Sequence, residues 1–163
     1  MYYHVQTHQD ISVPEAQHFR QTVHVTLNDP RGWGIPFYDV PLEYLLQLPK
    51  DKAFIIRLTP APVLNQKYRE FGDRQLSVAN MNERTIDINY CRWTEECPNQ
   101  SQLPLEQYRQ YVIQHEVGHM MGKKHPTQVV TSQQKAPVMM QQTLGIHHHE
   151  PNPWPTEFDK KVL

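Results

Sequence analysis

The segment His115-Glu116-Val117-Gly118-His119-Met120-Met121-Gly122-Lys123-Lys124-His125 decides how the rest of the chain is read. Its spacing is H-E-x-x-H-x-x-G-x-x-H. On a helix, His115 and His119 share one face, one turn above the other. Both imidazoles can then reach a single ion at ~2.0–2.1 Å. Glu116 follows about 100° further round the helix, so it lies beside that ion and not on it. Gly122 is where the helix should stop, because glycine enters the left-handed conformation after a helix without steric cost. The chain turns there, His125 returns from outside the helix, and Pro126 keeps His125 extended.

Three neutral imidazoles leave a divalent ion its full charge and one open position, which is the pattern of a catalytic zinc and not of a structural one. A water in that position would have its pKa lowered toward ~7. Glu116 would take the water's proton during attack on a polarised carbonyl, then pass it to the departing amine. The implied reaction class is metal-assisted amide hydrolysis, with one zinc per chain. His115, His119 and His125 are its candidate ligands, Glu116 the candidate general base, and Gly122 the turn that brings the third ligand within reach. The chain has ten histidines, so a histidine-rich helix is the bland alternative. Coincidence would then have to supply Glu116, Gly122 and His125 as well. A structural zinc, for its part, has no use for a carboxylate at the Glu116 offset.

Upstream of the motif, Pro104 suits a first helical turn. From there Leu105, Tyr108, Val112, Ile113, Val117, Met120 and Met121 cover most of a helix circumference, which predicts a central, buried helix. Leu76–Asn80 and Thr85–Tyr90 flank Met81-Asn82-Glu83-Arg84 and predict a hairpin. Ala53–Leu58 predicts a buried strand, Tyr2–Thr7 a first strand, and Phe37–Val40 a short one. Ala16, Phe19, Val23 and Leu27 carry helical spacing after a Ser12 cap and before Asn28-Asp29-Pro30. A strand over Val23–Leu27 is the competing reading, and the longer periodicity favours the helix. Thr59–Asn65 reads as proline-broken loop. Beyond the motif, a polar loop runs to Lys135. His147-His148-His149 reads as surface loop in preference to a second metal tract. Pro151–Pro155 predicts an extended segment anchored by Trp154, and Glu157–Leu163 a terminal turn or two of helix.

The whole chain is consistent with a single domain, residues 1–163, long enough for a sizeable core. Apolar content of 38% with 14 prolines predicts long surface loops around a small centre. A net charge of −1 gives no reason to expect nucleic acid as a partner. No apolar run approaches the ~18 residues of a membrane span, so no membrane partner is expected either. Met1-Tyr2-Tyr3-His4-Val5-Gln6 lacks the basic start and apolar stretch of a secretion signal, which predicts an intracellular protein or one whose leader has been removed. Cys91 and Cys97 could close a small disulfide, but in that setting reduced thiols are the expected state.

Taken together, His115–His125 and the segment Ala136-Pro137-Val138-Met139-Met140-Gln141-Gln142-Thr143 resemble the metzincin clan of zinc endopeptidases. More closely, the sequence is similar to a bacterial family described as zinc-dependent metalloproteases without a characterised role. That likeness rests on Asp29–Trp33, Tyr108–Tyr111, His115–His125, Ala136–Thr143 and Asn152–Pro155, in the same order. The resemblance implies a Met-turn beneath the metal, with Met139 as its methionine. Some metzincins place a tyrosine two residues later; here the position is Gln141, a candidate donor to a developing oxyanion. The implied fold is α+β and metzincin-like, a twisted mixed sheet of about five strands with an active-site helix and a short lower part built on the Met-turn. The strand Leu76, Ser77, Val78, Ala79 and Asn80 takes the place of the sheet edge on which an extended peptide substrate docks. The implied function is a zinc-dependent endopeptidase acting on a peptide or protein. The alternative is a catalytically silent, zinc-stabilised protein that captures peptides.

Overall fold

The computed structural model describes residues 1–70, 76–127 and 134–161. In chain order the elements are β1 (Tyr2–Thr7), α1 (Val13–Leu27), β2 (Tyr38–Asp39), the short α2 (Leu42–Leu45), β3 (Ala53–Thr59), α3 (Ala61–Lys67), β4 (Val78–Asn80), β5 (Thr85–Asn89), the short α4 (Tyr90–Trp93), α5 (Leu105–Met120) and α6 (Glu157–Lys161). The strands form one five-stranded mixed sheet in the order β2-β1-β3-β5-β4. β1 runs parallel to β2 and β3, and β3 parallel to β5. β4 alone is antiparallel, with Ala79 opposite Ile86 of β5. The expected α+β class and mixed sheet are therefore present, and the expected hairpin is β4–β5, with its first strand confined to Val78–Asn80 where the sequence predicts Leu76–Asn80.

The two-residue period of a strand places Tyr3 and Val5, Phe54, Ile56 and Leu58, and Ile86 and Ile88 on one side of the sheet. All seven are buried. Phe19, Val23 and Leu27 of α1 and Ile113, Val117 and Met120 of α5 join the same core. Each such side chain, fully buried, stabilises the fold by ~1.5–3 kcal/mol. The helical spacing of Phe19, Val23 and Leu27 thus prevails over the strand reading of Val23–Leu27. Ser12 caps α1 by accepting from the Glu15 N–H at 3.4 Å, and the helix ends at Asn28.

α5 is buried on nearly every side, as its sequence predicts, so its polar groups need partners. Gln114 donates through Nε2 to Thr26 O at 2.7 Å, and Trp33 donates through Nε1 to Gln114 O at 3.1 Å. These bonds tie the middle of α5 to the end of α1 and the turn after it. Arg84, from the β4–β5 turn, donates to Met120 O at 3.1 Å. A cation there complements the exposed carbonyls at the C-terminus of α5.

Three sequence expectations are corrected. Thr59–Asn65 is not all loop, because α3 begins at Ala61. Pro60 occupies the cap position and Pro62 the first turn, where a missing N–H breaks no helical bond. The second hairpin strand stops at Asn89 and not Tyr90, since the Asn89 side chain accepts from Cys91 N–H at 3.0 Å and starts α4. Cys91 and Cys97 are not free thiols but a disulfide. The loop brings them together, with Cys97 N–H donating to Cys91 O at 3.0 Å.

Elsewhere His147 and His148 are exposed while His149 is buried. The Arg31 guanidinium lies 4.2 Å from the Trp154 ring centroid, anchoring the C-terminal segment as its aromatic residue suggested. Residues 71–75, 128–133 and 162–163 lie outside the described residues, so the polar loop before Lys135 and the terminal helix expected over Glu157–Leu163 are only partly in view. Among the described residues no helix is long and apolar enough to cross a membrane.

Candidate metal centre

α5 carries His115 and His119 on one face, and the chain reverses just beyond it. Met121 caps the helix, and Gly122 follows with φ +86°, the left-handed conformation its sequence position called for. The turn is closed by Gly122 N–H to His119 O at 2.9 Å and Lys123 N–H to Gly118 O at 2.9 Å. His125 thereby comes back over the helix. Its Nε2 lies 3.1 Å from Nε2 of His115 and 3.0 Å from Nε2 of His119. The three side chains form a group able to hold a metal ion, their ligand atoms all within 4.8 Å of one another.

Protonation can be read from the other ring nitrogens. His115 Nδ1 lies 2.7 Å from Val138 O, and His119 Nδ1 lies 2.9 Å from Lys123 O. A carbonyl oxygen can only accept, so both Nδ1 atoms carry the proton and both Nε2 atoms present lone pairs. Burial holds His115 well below its ordinary pKa, with His119 and His125 adding to the effect and Val138 O opposing it. Burial lowers His119 too, against the pull of Lys123 O. His125 falls to about 4, through burial first and the neighbouring His119 second. Neutral imidazoles with converging lone pairs are the donor set of a metal site. Tetrahedral ligands at ~2.0–2.1 Å stand about 3.3 Å apart, close to the separations found here.

Glu116 is 5% exposed. Burial pushes its carboxyl up to about 8, and the backbone N–H of Ala79 on β4 pulls partly the other way. That N–H points away from β5. The hydrogen-bonding positions of β4 against β5 are therefore those of Val78 and Asn80, by the alternation of an antiparallel ladder.

A cavity of about 390 Å³ joins these groups. His115, Glu116, His119 and His125 line one part of it, and Leu76, Ser77, Val78 and Ala79 line the edge-strand side. Gly122 and Gln141 contribute as well. Of the candidate substrate positions, only Asn80 lies outside this lining. Its side-chain oxygen instead accepts from Asn82 and Glu83 N–H at 3.1 Å each, shaping the hairpin turn. Met139 does not line the cavity either. It is buried and lies against Gly118, where an added Cβ would run into its sulfur and come within 2.7 Å of the Trp33 ring. The segment carrying it turns tightly, with Met140 N–H donating to Pro137 O at 3.1 Å.

Sequence reading missed Tyr111, Val112 and Thr143, which complete the apolar wall. Tyr111 stands one helical turn before His115, a spacing that could have revealed it. Its hydroxyl donates to Met140 O at 2.9 Å and accepts from Gln142 N–H at 2.9 Å, pinning the turn to α5. Thr143 and Val138 lie within the Ala136–Thr143 likeness, but nothing local marks their roles, which depend on the turn lying across the helix.

The sequence model of a family described as "Protein of unknown function (DUF3152)" matches residues 1–161. No curated protein and no solved structure matches the chain.

Proposed function

Starting from a chain that belongs to this family of unknown function, we propose that it is a zinc-dependent endopeptidase of the metzincin type. The observation that carries this reading is the convergence of three histidine nitrogens on one wall of a cavity that Glu116 shares. His115, His119 and His125 would hold the ion. Zinc bound there would supply a Lewis acid for a scissile carbonyl and for the water that attacks it.

The chain's own groups do the rest. With the positive charge of an ion beside it, the Glu116 carboxyl would give up its own proton. It could then take one from the attacking water and return it to the amine nitrogen as the C–N bond breaks. β4 is the sheet edge beside the cavity, and an extended peptide docking along it gains main-chain hydrogen bonds largely independent of its sequence. That arrangement favours internal over terminal cleavage. Gln141, on the same cavity, is a candidate donor to the oxyanion. The turn at Pro137–Met140, with Met139 against Gly118, supports a Met-turn beneath the metal. The five-stranded mixed sheet with an antiparallel edge strand supports the metzincin-like topology. The whole chain, 1–163, is read as one metalloprotease domain. The Cys91–Cys97 bridge favours an oxidising compartment over the intracellular setting expected from the N-terminus.

The test is incubation of the zinc-loaded protein with a proteome-derived peptide library, with and without chelator. Cleavage within peptides, lost on chelation and restored by zinc, is expected. His119→Ala is expected to lose the ion by elemental analysis. Retained peptide binding with no turnover by a fully zinc-loaded protein would replace the enzyme with the silent peptide-capture reading.

A further inference from the structure

The carbonyl that orients His115 leads back to the C-terminal helix. Val138 C=O, which accepts from His115 Nδ1 at 2.7 Å, belongs to the same peptide group as Met139 N–H. That N–H donates to Oδ1 of Asp159 at 3.0 Å, and Val138 N–H donates to Oδ2 at 2.9 Å. Asp159, on α6, is only 1% exposed. Its Oδ2 also receives Thr156 N–H at 2.7 Å and the Thr156 hydroxyl at 2.8 Å. These four donors are neutral, and among the described residues no lysine or arginine pairs with this carboxylate. A buried carboxylate held only by neutral donors polarises the dipoles around it, and one of these is the peptide group it shares with His115.

We propose that Asp159 is a positioning residue for His115, acting through the Val138–Met139 peptide group. Negative charge at the N–H end of that peptide makes the carbonyl end a stronger acceptor. The stronger acceptor keeps the proton on Nδ1 of His115 and leaves the Nε2 lone pair facing His119 and His125. Ligating histidines commonly hand their second N–H directly to a carboxylate; here one peptide group stands between. A second tie reinforces the same helix: Lys123 donates through Nζ to Lys160 O at 3.0 Å, and Lys123 O is the acceptor for His119 Nδ1 at 2.9 Å. A five-residue helix at the far end of the chain thus braces the acceptors of both helical ligands.

The metal part of this inference rests on the zinc reading above, whereas the tautomer part does not. The first measurement uses metal-free protein with ¹⁵N-labelled histidine, in which long-range NMR correlations report the tautomer of each ring. Wild type is expected to hold His115 as the Nδ1–H form. Asp159→Asn is expected to give a mixture at His115 while His119 stays Nδ1–H. General loosening would move both rings or neither. The second measurement is chelator competition for zinc, where Asp159→Asn is expected to weaken binding by ~10–100-fold. Asp159→Glu keeps the charge and should recover part of that loss, and Asp159→Ser, also uncharged, serves if the asparagine variant does not fold. An unchanged His115 tautomer together with unchanged zinc affinity, in either uncharged variant, would overturn the proposal. If wild type bound no zinc while its His115 tautomer still responded to Asp159, the metal reading alone would fail.

Discussion

Asp87 and Glu116 are both buried carboxylates on neighbouring elements, 1% and 5% exposed, and they are treated in opposite ways. Asp87 on β5 receives Arg57 through Nε and Nη2 at 2.9 and 3.0 Å. Thr59 adds its hydroxyl at 3.0 Å, Tyr68 its hydroxyl at 2.8 Å, and Lys67 its ammonium at 3.4 Å. Burial by itself would raise Asp87, but Arg57, Tyr68 and Lys67 hold it below the usual carboxylate range. For Glu116 burial wins, and among the described residues the backbone N–H of Ala79 is its only counterweight. A buried carboxylate saturated with donors serves the frame: Asp87 fastens α3 and the start of the α3–β4 connection to the outer face of the sheet. One left nearly bare costs stability and is free to meet a ligand. Similar chemistry, one strand apart, separates structure from candidate catalysis.

The sharpest way to break the comparison is to delete each carboxylate in turn. Glu116→Ala should lower peptide turnover by ~10²–10⁴-fold, with zinc content and thermal stability unchanged or improved. Unchanged turnover would mean that another group takes the proton. Asp87→Ala should do the reverse. Removing one partner of a buried charged network costs about 3 kcal/mol, a fall of about 6–12 °C in Tm for a chain of this size. Turnover per folded molecule should stay near wild type. A loss of activity without a loss of stability would reverse the roles assigned to the two carboxylates.

The pH dependence sharpens the same contrast. Asp87 is depressed in the fold, so it binds a proton less readily there than in the unfolded chain, whose value is ~3.9. Its contribution is therefore complete above about pH 4 and is lost as pH falls through the native value. Urea unfolding followed from neutral pH to pH 3 should show a steep acid-side loss in wild type and a shallower one in Asp87→Ala. Equal slopes would mean that other carboxylates carry the acid transition.

Smaller effects probe the edge strand between the two. The outward N–H of β4 at Ala79 also serves Glu116, so Ala79→Pro should lower kcat/KM for an extended peptide by at least about fivefold, the equivalent of one hydrogen bond, with zinc retained. Val78→Pro would instead remove a donor of the β4–β5 ladder and reduce stability. If Ala79→Pro cleaves as fast as wild type, peptides do not dock on that edge. The smallest effect concerns Cys91 and Cys97. Neither should react with a thiol reagent after unfolding without reductant, and both should after reduction. Labelling of both thiols without reductant would mean that the two cysteines are not bridged.

The path from sequence to site was shortest where the interactions are local. His115 and His119 share a face because a helix repeats every ~3.6 residues, and Gly122 ends that helix because only a few residues later the chain must reverse. β1, β3 and α1 were equally legible, since their alternation and capping are written within a dozen residues. The α3 helix was hidden by its prolines, which break helices in the interior but not in the first turn. The disulfide was hidden for a different reason, since residue spacing carries no information about oxidation.

The sequence by itself determined the candidate ligand set, the candidate base and the turn that joins them, because all lie within one short segment. Only the tertiary structure decided what surrounds that segment. β5 lies between β3 and β4, so the edge falls beside Glu116. The turn at Val138 crosses α5 so that its carbonyl meets His115, and Asp159 arrives from the last helix to hold that turn. Such contacts join residues twenty or more positions apart, and no local pattern encodes them. They exist because one core must bury the apolar faces of the sheet, α1 and α5 together, and that shared burial brings distant polar groups within reach of the histidines.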